Sequence, residues 1–233
     1  MAQKRAIATV DCETDPFEYG REIQPFVWGF YDGKQYEQFT HSADIVERIS
    51  AFKGTVYAHN GGKFDWHFIL DYVDKGQNLK VINGRLSEFR LGKATCRDSI
   101  NILPVPLAKF QKQEFEYWKL EERHRLHYWR EISEYLESDC VNLWNVVTRF
   151  IEDYSYSLTL AGAAVKEYEK LGNRVSKTNA EHYAYYSPFY YGGRVSCFES
   201  GVFDGPQYIY DINSAYPTLM MGQHPTGTKT FES

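Results

Sequence analysis

The chain opens with apolar runs of strand length and later turns to helical spacing. Ala6–Val10 is a short apolar run that reads as a buried strand ending in Asp11-Cys12-Glu13. Phe26–Tyr31 and Tyr36–Phe39 flank Asp32-Gly33 and read as a hairpin. Ser42 is placed to cap a helix running to about Ala51, with Ile45, Val46 and Ile49 on one face. Thr55–His59 reads as another short strand, followed by a loop with Gly61-Gly62 and a helix from about Phe64 to Val73. Strands are predicted over Leu79–Asn83, Glu88–Leu91 and Ala94–Arg97, before Pro104 and Pro106 break the chain. Residues 112–130 are dense in charge and are expected to be exposed. From Glu131 the pattern Ile132, Tyr135, Leu136, Leu143, Val146, Val147, Phe150 predicts a long helix to about Tyr154. Leu160–Leu171 and Asn179–Tyr186 read as helices, Tyr190–Phe198 and Tyr208–Ile212 as strands.

Strands first, with helices interleaved, imply an α/β domain with a mixed sheet that ends near residues 154–160. The 233 residues allow one large domain, or one domain and a piece of another. The aromatic fraction is 17%, with 19 Tyr, which suits either a core of large rings or stacking platforms for single-stranded bases. The net charge of −5 argues against a protein that coats long duplex. It leaves open one that holds a short strand through metal ions, which supply positive charge locally. Cys12, Cys96, Cys140 and Cys197 are widely spaced with no CxxC, as expected of reduced thiols in a cytosol-like compartment rather than a zinc site or disulfide framework. No apolar run suits a signal peptide or approaches the roughly 20 residues of a membrane span. The expectation is a soluble, cytoplasmic protein with no membrane partner.

Three groups of residues carry chemistry. Asp11 and Glu13 are two apart, so on a strand they share one face. Neighbouring carboxylates repel, and an oxygen-only pair suits a divalent cation such as Mg²⁺ or Mn²⁺. Asp65 follows His59-Asn60-Gly61-Gly62-Lys63-Phe64 at the start of a helix, behind a double-glycine loop whose backbone could approach a ligand. Tyr135 and Asp139 are four apart on one helix face. Together the four carboxylates suit two metal ions about 4 Å apart that cleave a phosphodiester. In that scheme Asp11 bridges both ions, Glu13 and Asp139 hold the water-side ion, Asp65 helps hold the other, and the Tyr135 hydroxyl holds the attacking water.

The order DxE (Asp11, Glu13), NxxxFD (Asn60, Phe64, Asp65) and YxxxD (Tyr135, Asp139) resembles the three exonuclease motifs of family-B DNA polymerases. The resemblance implies a ribonuclease-H-like fold, 3′→5′ exonuclease activity of the DEDDy kind, and a proofreading role in DNA replication. Asp98-Ser99-Ile100-Asn101-Ile102-Leu103-Pro104 resembles the DSLxxLP segment of the protein-primed members found in phages, viruses and linear plasmids. Lys112-Gln113-Glu114-Phe115-Glu116-Tyr117 is similar to their KxxxxY element, which implies an assisting role for Lys112 and a contact of Tyr117 with the primer end. By the same resemblance Thr14, His59, Asn60, Phe64, Ser99 and Tyr117 would hold the 3′ end of single-stranded DNA.

Tyr191-Gly192-Gly193 looks like the YxGG element that contacts template. Asp211-Ile212-Asn213-Ser214-Ala215-Tyr216-Pro217 resembles polymerase motif A, with Ala215 where Leu is usual. In the family that Asp binds metal and that Tyr lines the nucleotide pocket, which makes Asp211, Ser214 and Tyr216 remnants of a polymerase site here. The later family motifs do not follow, so polymerase activity is not expected from this chain alone. The expected organisation is an exonuclease domain over 1–157, then linker helices, the YxGG element and an incomplete palm over 158–233. Terminal protein and the remainder of a polymerase are expected partners. Two further readings stay open: an exoribonuclease, and a non-catalytic module that docks DNA or terminal protein, with Glu114–Arg130 as a docking surface.

Overall fold

The alternation in Ile7–Thr14 (β1) sends Ala8, Val10 and Cys12 into one apolar core and leaves Thr9, Asp11 and Glu13 for the other face. The computed structural model describes residues 6–15, 22–74, 76–110, 114–175, 179–189, 196, 200–206, 208 and 210–223. β1 runs through Asp11-Cys12-Glu13, where the sequence places its end. Asp11, Cys12 and Glu13 pair with Gly29, Trp28 and Val27 of Pro25–Tyr31 (β2), so the ladder carries both carboxylates inside the sheet. Tyr36–Phe39 (β3) closes the hairpin. The chain then crosses by Ser42–Ala51 (α1) to Thr55–Ala58 (β4), which runs parallel to β1. Lys80–Ile82 (β5), Arg85–Leu91 (β6) and Ala94–Asp98 (β7) complete a seven-stranded mixed sheet in the order β3-β2-β1-β4-β7-β6-β5. The α/β class and mixed sheet expected from the pattern are both present.

One face is sealed by α1 and by a 3-10 helix over Asp65–Tyr72, which bury Trp28, Phe30, Ile45, Ile49, Trp66 and Ile69. Each such side chain contributes about 1.5–3 kcal/mol by leaving water. The pattern predicted an α-helix over Phe64–Val73. In a 3-10 helix positions i and i+3 eclipse, which stacks Trp66 over Ile69 on one buried face. Ser42 is the first helical residue rather than the cap. The cap is His41, and the Ser42 hydroxyl accepts from Trp28 Nε1 at 3.2 Å.

The described residues 114–130 are exposed or half-buried, as their charge suggests, except for Leu120. Among those described, Leu120 is buried beside Val27, Ile132 and Leu136. The short helix Glu122–Arg125 (α2) brings Arg125 to Asp15 and lays its guanidinium over the Phe26 ring at 4.1 Å. The long helix Trp129–Asp153 (α3) covers the other face of the sheet with Ile132, Leu136, Leu143, Val147 and Phe150. Leu160–Lys170 (α4) adds Ala163 to the cluster of Tyr57, Leu143 and Val147.

Two compact units divide the chain, 1–177 and 178–233, so α4 belongs with the sheet rather than with the second segment. In the second unit Asn179 caps Ala180–Tyr186 (α5), and Ala215–Met220 (α6) is the last helix among the described residues. Most of Tyr190–Phe198 lies outside the described residues. In Tyr208–Ile212 the described residues Tyr208 and Tyr210–Ile212 hold no strand. A strand needs a hydrogen-bonding neighbour, and none is present among the described residues of this unit. Among the described residues no helix is long and apolar enough to cross a membrane.

Candidate active site

The carboxylates gather where β1 outruns β4. Pairing between the two strands ends at Thr9 and Tyr57, which leaves the β4-side edge of β1 open beyond Thr9. There Asp65, at the start of its 3-10 helix, accepts from the Cys12 backbone N–H and meets the Cys12 thiol. Asp65 is 2% exposed, and its Oδ1 is buried with no hydrogen-bond partner. Burial raises its pKa from 3.8 to about 6, against the opposing pull of those Cys12 contacts.

From the opposite side, α3 turns a polar notch in its apolar stripe toward β1. Thr9 Oγ1 donates to the carbonyl of Cys140 at 2.7 Å, a buried bond that pins helix to strand. Gly29, the register partner of Asp11, permits the approach: a Cβ there would lie 2.9 Å from Cys140 Sγ and 3.0 Å from Leu136 Cγ. Asp139 and Tyr135 are thereby buried beside β1, each 2% exposed. Desolvation, then Tyr117, Asp139 and Glu13, push the Tyr135 hydroxyl pKa well above the usual phenol value. After desolvation, Asp11, Asp139 and Asp65 all push the buried Cys140 thiol the same way. Asp11, Asp65 and Asp139 thus all act on Cys140, and Asp139 and Glu13 on Tyr135. Among the described residues, however, no three His, Cys, Asp or Glu side chains converge into a formed metal cage.

Two cavities flank the exposed Tyr117 ring. One, of about 490 Å³, is lined by Asp11, His59, Asn60, Ile100, Tyr117 and Asp139. The other, of about 390 Å³, is lined by Glu13, Thr14, Phe64, Tyr117 and Leu120. His59 is held by its Nδ1 at 2.9 Å from the Ser99 hydroxyl, which itself donates to the Ala58 carbonyl at 3.2 Å. Asn60 adopts the left-handed region with φ 64°, and its Oδ1 accepts from Arg85 at 2.6 Å. Arg85 also reaches Asp98 at 2.8 Å, and Asp98 accepts from Gly62 N–H at 3.0 Å. This overturns the reading of the double glycine as a ligand cradle. A Cβ on Gly62 would sit 2.1 Å from the Leu86 carbonyl, and one on Gly61 2.6 Å from Ala58 Cβ. Both glycines serve close packing of the loop.

A family model for DNA polymerase type B, organellar and viral, matches residues 109–233, more than half of the chain. This chain belongs to that family. The DNA-directed DNA polymerase of Enterobacteria phage PRD1 is 40% identical over 240 residues, which cover 97% of this chain and 42% of the phage protein. The chain therefore spans less than half the length of that relative. Phi29 DNA polymerase, solved with primer-template DNA and incoming nucleotides, matches with a TM-score of 0.59 at 16% identity over 72% of this chain and 35% of its own. The same enzyme solved with single-stranded DNA gives 0.57 at 15% identity, with the same coverage. The motif resemblance to the protein-primed members stands with these matches, and the ribonuclease-H-like sheet is the fold they share.

In this family-B chain Asp11 and Asp139 line one cavity and Glu13 lines the other, Tyr135 feels Asp139 and Glu13, and Asp65 is buried against Cys12. His59, Asn60, Phe64, Thr14 and Tyr117 border the two cavities. Ser99 is fully buried and touches His59 instead. Lys112, Tyr191, Gly192 and Gly193 lie outside the described residues. In the second unit Asp211 and Tyr216 are exposed, and Ser214 adopts φ 55° just before α6. Sequence reasoning missed Arg85, which falls between the predicted strands Leu79–Asn83 and Glu88–Leu91 and carries no local signature of its bond to Asn60. It also gave no role to Asp98, although that residue opens the DSLxxLP-like segment.

Proposed function

We propose that the sheet unit is a metal-dependent 3′→5′ exonuclease acting on single-stranded DNA ends, the proofreading part of a protein-primed polymerase engaged in DNA replication. The observation that supports it most is that Asp11 and Asp139, from β1 and α3, line one cavity beside Tyr117 while Glu13 lines the other, with Asp65 buried against Cys12, which lies between Asp11 and Glu13 in sequence. The donor chemistry fits: all four ligands are carboxylates, and Asp65 presents a buried oxygen with no partner. These four would hold two Mg²⁺ or Mn²⁺ ions. When bound, the ions lower the pKa of water and stabilise charge on phosphate oxygens.

The chain's own residues do the remaining work. Tyr135, kept protonated by burial, orients the attacking water through its hydroxyl. His59 and Asn60, fixed by Ser99 and Arg85, bond sugar and phosphate. Phe64 and Tyr117 stack on bases, with Thr14 beside them. Lys112 assists charge stabilisation. The exonuclease residues fall within 1–157, and 158–233 supply α4, which packs on the sheet, the Tyr191-Gly192-Gly193 template contact and the start of a palm with Asp211, Ser214 and Tyr216. Terminal protein and the rest of a polymerase are its partners.

The test is a 5′-labelled single-stranded oligonucleotide incubated with the 233-residue chain. Stepwise shortening from the 3′ end with Mg²⁺ or Mn²⁺, stopped by EDTA, is expected. Binding without shortening would leave a docking module in its place.

A further inference from the structure

Three aromatic rings meet beside the carboxylates, and one of them has no part in the scheme above. Phe115 lies face to face on Tyr135, with ring centroids 4.4 Å apart and planes 20° apart. It meets Tyr117 nearly perpendicularly, at 6.0 Å and 81°. The Tyr117 and Tyr135 hydroxyls stand 3.4 Å apart, which closes the triangle. Phe115 itself packs on the apolar cluster of Val27, Leu120, Ile132 and Leu136, rooted in β2 and α3. Its position is therefore set by the core, and its face is presented to the two phenols.

A tyrosine ring turns about two side-chain torsions, and the outer one is broad. A flat ring stacked at van der Waals distance removes most of that freedom, because rotating the phenol would drive it into its neighbour. Phe115 brings no polar atom, so it competes for no hydrogen bond of either hydroxyl. It also keeps water from one face of Tyr135.

We infer that Phe115 is a positioning residue: it holds Tyr135 and Tyr117 in one register, so that a strand seated against Tyr117 finds the Tyr135 hydroxyl already aimed at the water. The inference rests on the exonuclease reading of the site. It assigns the KxxxxY-like segment a third function besides those of Lys112 and Tyr117, carried by a residue between them.

The experiment is a double-mutant cycle on single-stranded DNA degradation, read as kcat and KM. Phe115→Ala should lower kcat by roughly 10- to 100-fold, within what an ångström-scale misplacement costs. In a Tyr135→Phe background the same change should cost less than about threefold, because the hydroxyl it aims is gone. Phe115→Tyr keeps the stacked face and should restore kcat to within about threefold of the parent. Equal losses in both backgrounds, or a loss confined to KM, would overturn the inference. If Phe115→Ala unfolds, Phe115→Leu keeps the bulk without the flat face and carries the same comparison. A second readout needs no activity. With ¹³C-labelled tyrosine, the Tyr135 ring signal, assigned by its absence in Tyr135→Phe, should shift and sharpen toward fast ring flipping when Phe115 is removed. An unchanged signal would contradict the stack. If the parent chain degrades no DNA with Mg²⁺ or Mn²⁺, the exonuclease reading fails, and the ring signal alone decides whether Phe115 sets the register.

Discussion

The two faces of the central sheet are built to different ends. Under α1 and the 3-10 helix, β1 contributes Ala8, Val10 and Cys12 to a core of Trp28, Phe30, Ile45, Ile49 and Trp66. Under α3 the same strand contributes Thr9, Asp11 and Glu13, and the helix answers with Tyr135 and Asp139, both buried. Burying carboxylates without cations disfavours folding, whereas burying rings and branched aliphatics favours it. On the α1 face β1 meets apolar packing alone, whereas on the α3 face its Thr9, Asp11 and Glu13 sit between apolar clusters of that helix, in positions that folding alone would not select. Such conflict between local chemistry and packing is a mark of functional sites.

This contrast can be broken from either face. The largest expected effect is on the α3 face: Tyr135→Phe should lower turnover by roughly 10²–10⁴-fold, with little change in thermal stability. Turnover within a few-fold of the parent would remove Tyr135 from the chemistry. On the α1 face Ile45→Ala should do the reverse, costing about 2–5 kcal/mol in urea unfolding while the rate per folded molecule holds. A smaller effect should appear in the pH dependence of stability measured in EDTA. Asp65 has its pKa raised in the fold, from 3.8 to about 6, so its protonated form is the favoured one. Its stabilising contribution is full below the lower value and is lost as pH rises through the upper one. Asp65→Asn should therefore match the parent near pH 4 and exceed it by on the order of 2–3 kcal/mol near pH 7. Parallel stability curves would show that Asp65 carries no such burden.

The sequence revealed the α3 face more fully than the α1 side of the loop between β4 and the 3-10 helix. Period-two spacing alone put Asp11 and Glu13 on one face, and four-residue spacing put Tyr135 and Asp139 together, because both rules are local. What holds Asp11 and Glu13 in the ladder was not legible, since their partners Gly29 and Val27 are distant in sequence. The double glycine was misread for the same reason. What requires it is the Leu86 carbonyl and Ala58, not anything within the loop. The bond of Arg85 to Asn60 and the stack of Phe115 on Tyr135 also join residues with no shared pattern. Local periodicity finds which residues share a face; it does not find which residue from another element keeps them still.

The most direct measurement of the central claim is the double substitution Asp11→Ala with Asp65→Ala, assayed for both degradation and metal-dependent stability. For the parent chain, Mg²⁺ or Mn²⁺ should drive 3′-end degradation of single-stranded DNA. The same ions should raise unfolding stability by about 2.7 kcal/mol at a hundredfold excess over the dissociation constant. In the double variant both effects should vanish, while the far-ultraviolet circular dichroism of the sheet and helices persists. Undiminished degradation by a folded double variant would contradict the account, because the reaction would then proceed without the carboxylates on which it rests.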